Sequence, residues 1–281
     1  MKNEELLLLL IDSFIKIAEA GKKTKAGRHN RLLDAEGLGF KFFAHSASIL
    51  YLFRSTNIPD STITKISFFD AGSINVLGRT AIESFLVFNY VFVNNDDTAQ
   101  EDFNYLSWVL GGLIERQNLP ISSPQGKEII EHELTIINNV KKELESNKYF
   151  QALTSKQQNQ LFNNGKWRLK SWTQIGLESG LSDSYAKVFY SYLCGYAHAS
   201  NLSVLQLREA RDKKSQIVLC NATIGYLLIA MSKFIIAYTK VFPKSVPIFK
   251  SLKYKAIVDV WDSIGSKSLK DVDVDWSDFK I

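Results

Sequence analysis

The stretch A-G-S-I-N-V-L-G-R-T-A-I-E-S-F-L-V-F-N-Y-V-F-V, Ala71 to Val93, decides the fold. Its only charges are Arg79 and Glu83, and its apolar residues fall on every side of a helical projection. A helix apolar all round must be surrounded by others, so the pattern predicts a buried central helix over about 71–93. A second stretch, Val188 to Leu207, carries no Lys, Arg, Asp or Glu and is read as part of a central helix over about 184–207. A third central helix is expected over about 216–241. Amphipathic segments are expected to pack around these three, which gives an all-α, multi-helix bundle.

Composition agrees with that reading. The 281 residues are 46% hydrophobic and 22% charged, enough to bury a large core as a single helical domain over 1–281. Only 5 Pro and 15 Gly favour long helices over a sandwich with frequent turns. Outer helices are expected over 3–20, 34–56, 102–118, 127–147, 172–179 and 257–264. In the second of these, Phe40, Phe43, Ala47, Leu50 and Phe53 make one apolar stripe. The 119–126 loop, with Pro120 and Pro124, is the best point for an internal subdivision, and the tail over 265–281 is acidic. Leu6 to Ile11 is a solid apolar run, but it follows Glu4 and Glu5 and lacks the positive start of a secretory signal, so a cytoplasmic protein is expected. The uncharged run 217–231 is shorter than the roughly 20 residues a membrane span needs, so no span is expected. Cys194 and Cys220 read as small buried thiols within helices.

Charge is gathered in clusters. Lys22, Lys23, Lys25, Arg28 and Arg31 form the first; Arg208, Arg211, Lys213 and Lys214 the second; Lys244, Lys250, Lys253 and Lys255 the third. Nucleic acid or another polyanion is the partner such patches suit, through the first cluster above all. Amphipathic outer helices such as Leu6 to Ile17 make a homodimer the other partnership to expect.

Any chemistry should sit where polar groups enter the apolar helices. Arg79 and Glu83 are four residues apart and share a face. Tyr190, Cys194 and His198 follow at successive four-residue steps. The candidate polar site is therefore Arg79, Glu83, Tyr190 and His198. In it Arg79 would anchor an anion, Glu83 would orient His198, and His198 would act as acid or base. The competing reading is a structural ion pair, costly to break inside a core. No Walker loop, dinucleotide fingerprint, nucleophile elbow or zinc-ligand spacing occurs, and no cofactor or metal is expected. No Arg precedes a His at the spacing of the ribonuclease motif of helical bacterial toxins. His45 could join His198 and Glu83 around a metal only if the fold gathered all three.

Three short motifs, in order, resemble a known family. They are R-x-x-x-E at Arg79 and Glu83; Trp172 followed by G-L-S-D-S-Y at Gly180 to Tyr185; and Y-x-x-L-x-x-x-A-H from Tyr190 to His198. Together, over roughly 42–238, they resemble the all-helical bacterial family known as domain of unknown function 5677. That family often has Ser in the turn before its His, where this chain has Cys194. The resemblance implies a helical fold and a polar site from Arg79, Glu83, Tyr190 and His198, and no reaction. The expected function is an interaction or RNA-associated module in stress response or phage defence. The alternative is a small-ligand or nucleotide-binding enzyme using the buried Arg/Glu/His/Tyr site.

Overall fold

The computed structural model describes residues 2–22, 30–58 and 66–268. Among them the chain is all-α, with thirteen α-helices and one short antiparallel ribbon. It forms two compact units, Met1–Asn89 with Trp172–Ile281, and Tyr90–Ser171. The 119–126 loop lies inside the second unit. Within the tail over 265–281, residues 269–281 are outside the described residues, as are Lys23, Lys25 and Arg28.

The first unit contains α1 (Asn3–Gly21), α2 (Arg31–Phe53), the ribbon β1 (Thr56–Ile58) and β2 (Ile66–Phe68), and α3 (Ala71–Phe88). The second unit's helices are α4 (Thr98–Gln117), α5 (Pro124–Glu145), α6 (Lys148–Gln151) and α7 (Ser155–Asn164). The first unit resumes with α8 (Trp172–Glu178), α9 (Tyr190–Ala197), α10 (Asn201–Glu209), α11 (Lys213–Val241), α12 (Val246–Lys250) and α13 (Lys255–Ser266).

α11 is the axis of the first unit. Its ends are set locally: the Asp212 carboxylate accepts from the Ser215 amide at 2.8 Å and caps the first turn. Phe234 stands at the middle of the aromatic core, 4.5 Å from Phe42 of α2, 4.7 Å from Phe88 of α3 and 5.4 Å from Phe14 of α1 by ring centroids. A buried Phe of this kind contributes about 2–3 kcal/mol by area alone, so the predicted centre at α3 and α11 holds. α3 and α11 meet closely where Gly78 faces Thr223: a Cβ on Gly78 would collide with Thr223 Cγ2. Beside it the Thr223 hydroxyl hydrogen-bonds to Asn75 Oδ1, both residues being fully buried. Lys233 of α11, 6% exposed, pairs with Asp262 of α13 at 3.0 Å and donates to Ser266 Oγ at 2.9 Å.

Three expectations need correction. The segment 184–207 is not one buried helix. It is a π-helical stretch Ser184–Phe189, then α9, a break at 198–200, and α10. Within α9 and α10 only Leu193, Tyr196 and Ser203 are buried, and the apolar Leu202, Val204 and Leu207 are exposed, so a lack of charge did not make the segment core. Ser200 ends the break by capping α10, accepting from the Ser203 amide. Second, the core face of α2 is Ala35, Leu38, Gly39, Phe42, Ser46, Ile49 and Phe53, so of the predicted stripe only Phe53 lies on the core face, and Phe40 is 69% exposed. Third, length does not argue against a span: the uncharged 217–231 run belongs to a 29-residue helix. By length and composition both Ala71–Val93 and Lys213–Val241 could cross a membrane, but most of each apolar window is buried inside the protein.

In the second unit, Arg116 of α4 pairs with Glu133 of α5, its Nε 3.1 Å from the carboxylate. Asn104 donates to the Tyr90 carbonyl at 3.2 Å and to Asn95 Oδ1 at 2.8 Å, satisfying backbone in the π-helical turn Asn89–Val93. Phe150 and Phe162 stack at 4.6 Å between α6 and α7.

Candidate functional site

Three of the four predicted site residues come together in the first unit. Arg79 and Glu83 lie one turn apart on α3, and Arg79 Nη2 donates to Glu83 Oε1 at 3.0 Å. The Tyr190 hydroxyl, at the start of α9, donates to the same oxygen at 2.6 Å. One carboxylate oxygen thus ties α3 to α9. A charge-assisted bond of that length is among the stronger side-chain bonds. The Tyr190 ring lies 6.0 Å from Trp172 at the start of α8. The Arg79 and Glu83 side chains remain 22% and 25% exposed, so the cluster is sheltered but not sealed.

Electrostatics follow from this arrangement. Burial raises the Tyr190 phenol above its ordinary value and the Glu83 carboxylate raises it further, so the phenol stays a proton donor. Burial alone would lower Arg79, but its hydrogen bond with Tyr190 and the charge of Glu83 outweigh this and hold it above its ordinary value. Cys194, one turn beyond Tyr190 on α9, lies near enough to both groups for an electrostatic interaction. The other thiol, Cys220 on α11, is fully buried, and burial with the nearby Asp70 charge pushes it up to about 12.

His198 does not join them. It is exposed in the turn after α9, its backbone N–H donating to the Cys194 carbonyl at 3.1 Å. The four-residue spacing would bring it into line only if α9 continued, and α9 ends at Ala197. His45 sits on α2, with its Nε2 buried and without a hydrogen-bond partner. Among the described residues no three His, Cys, Asp or Glu side chains gather closely enough to hold a metal ion.

Two neighbouring features were not predicted. The Tyr192 hydroxyl lies 3.4 Å from that of Tyr196, which donates to Gln206 Oε1 at 2.8 Å and so joins α9 to α10. The Trp172 contact with Tyr190 was signalled only by Trp172 standing among the recognised motifs. Of the basic clusters, the first is largely outside the described residues, and Lys22 is ion-paired with Glu19. In the second, Arg208, Arg211, Lys213 and Lys214 are all exposed at the α10–α11 corner. None of these four makes an ion pair within 4 Å among the described residues, although Lys214 feels the charge of Asp212.

An all-helical protein with a polar Arg–Glu–Tyr cluster joining two of its helices is the class that fold and geometry define. The chain belongs to the family of unknown function DUF5677, whose model matches residues 45–215. The match takes in all three motifs read in the sequence and stops at the beginning of α11. No curated protein and no solved structure matches the chain.

Proposed function

We propose that this chain is a helical interaction module that binds a polyanion, RNA in the first instance, with Arg79, Glu83 and Tyr190 as an internal brace. The observation that carries this reading is that Arg79 and Tyr190 both donate to the one Glu83 oxygen that links α3 to α9, while His198 is exposed in the turn after α9. A reaction centre would need an acid or base free to meet a substrate. The binding face is the α10–α11 corner, where Arg208, Arg211, Lys213 and Lys214 are exposed and make no ion pair within 4 Å among the described residues. Unpaired surface cations release counterions from a phosphate backbone, which makes affinity fall with salt.

The test is fluorescence anisotropy of a labelled single-stranded RNA against the chain and an Arg211→Glu, Lys213→Glu, Lys214→Glu variant. Wild-type affinity should fall steeply with salt. The variant should bind more weakly and lose about 2 from the log–log salt slope, at roughly 0.7 per lost phosphate contact. Equal binding by the two proteins would refute this face.

One observation favours a second reading. Arg79 Nε is buried with no hydrogen-bond partner, and a small anion such as a phosphoester is a ligand that would satisfy it. On that reading Arg79→Lys, folded and with its charge kept, abolishes a phosphate-induced rise in melting temperature that the wild type displays.

A further inference from the structure

α1 and α2 do not close fully against each other. Where α1 presents Phe14 and Ile15 and α2 presents Phe40 and Phe43, a groove of about 290 Å³ remains, with Tyr238 of α11 at its base. Its existence traces to the sequence. Glu36, Phe40 and Phe43 are spaced four and three residues apart, so they form one ridge of α2. That ridge is offset from the core face centred on Phe42. At position 39 a Cβ would come to 3.1 Å from the Tyr238 ring, a tight contact that would press on the floor.

The groove is aromatic, and its charge is one-sided. Glu19 at its rim is neutralised by Lys22. Glu36 makes no ion pair within 4 Å among the described residues, and its charge reaches the groove floor: burial raises the Tyr238 phenol and Glu36 raises it further. An apolar cavity walled by aromatic faces, with one uncompensated carboxylate, suits a cation with an apolar body. An anion would meet Glu36, and a purely apolar ligand would leave that carboxylate half-buried and unpaired.

We propose that the α1–α2 groove is a binding site for a small organic cation, an apolar ammonium compound whose charge pairs with Glu36 and packs against Phe40 and Phe43. This site is separate from the Arg79–Glu83–Tyr190 cluster and from the basic corner, and it stands whether or not the chain binds RNA.

The experiment is calorimetric titration of the full chain with benzyltrimethylammonium chloride, and with benzyl dimethyl carbinol as its uncharged analogue of similar shape. Saturable binding of the cation is expected, with the carbinol much weaker. Glu36→Gln and Phe40→Ala should each weaken the cation about fivefold, the weight of one half-exposed ion pair or cation–aromatic contact. Phe40 is largely exposed, so its loss leaves the fold standing, which an unchanged melting temperature would verify. The proposal is overturned by the absence of saturable heat, by equal affinity for the carbinol, or by affinity unchanged in both variants. It is equally overturned if the groove proves to be the seat of a second copy, seen as a concentration-dependent dimer that Phe40→Ala abolishes.

Discussion

Arg79→Ala is the perturbation that separates a brace from a binding site. In the wild type Glu83 Oε1 receives Arg79 at 3.0 Å and Tyr190 at 2.6 Å. Truncating Arg79 leaves a carboxylate that is 25% exposed with the Tyr190 phenol as its remaining donor. Breaking a fully buried pair costs about 3–5 kcal/mol, and an exposed one about 0–1 kcal/mol. With roughly a quarter of each side chain open to water, solvent screening brings the expected loss to about 2 kcal/mol. For a folded unit of this size that lowers the melting temperature by about 4–8 °C. Thermal denaturation followed by circular dichroism measures it. A triple variant, Arg79→Met with Glu83→Leu and Tyr190→Phe, removes every member of the cluster together, and apolar replacement of a whole network is often close to neutral. It should therefore recover most of the loss and bind RNA as the wild type does. An Arg79→Ala protein with unchanged melting temperature but lost ligand binding would refute the reasoning.

Two further outcomes are expected. Burial, with the charge of Lys41 adding to it, holds the His45 imidazole below its ordinary value. The unfolded chain therefore takes up that proton first, and stability is complete above about pH 6.5 and declines as pH falls from there through the lower folded value. Melting temperatures at about pH 7.5 and about pH 5.5 should differ less in His45→Gln than in the wild type. Gly78→Ala gains about 1 kcal/mol of helix propensity but forces its Cβ into Thr223, an overpacking that costs about 1–3 kcal/mol. The single variant should unfold at lower denaturant, and adding Thr223→Ser, which deletes the colliding methyl and keeps the hydroxyl bonded to Asn75, should restore the midpoint.

The sequence made the centre of the fold legible because α3 and α11 are apolar on nearly every face, and the Arg79–Glu83 pair because four-residue spacing on a helix is nearly a contact. It was less informative where two faces of one helix are both apolar. On α2, the Phe40–Phe43 ridge and the Phe42–Ile49 face differ by a rotation of one residue, and only packing decides which is buried. The helix Ser155–Asn164 is not among the expected helices, and its only buried residue is Leu161. A signal was present there, since Thr154 and Gln157 form a capping box. The β1–β2 ribbon is three residues a side, too short for an alternating pattern to stand out. His198 was misplaced because nothing in a run of uncharged residues announces that Ser200 will cap a new helix.

The least legible segment is the one that sets the site. In an α-helix, residues five apart are separated by about 140°, so Tyr185 and Tyr190 would face different directions. The wider π-helical turn of Ser184–Phe189, with its i→i+5 hydrogen bonding, brings residues five apart closer to one side than an α-helix does. Tyr185 can then stack on Tyr226 of α11 at 5.8 Å while Tyr190 reaches Glu83 of α3. Glu83 thus gains its second donor through a local departure from α geometry. Such departures persist only where the surroundings over-determine them, and here the surroundings are the Tyr226 stack on one side and the Glu83 bond on the other. The same two contacts that need the π-helical turn are the ones that hold it, which is why a change at Tyr185 should disturb the Arg79–Glu83–Tyr190 cluster without touching any of its members.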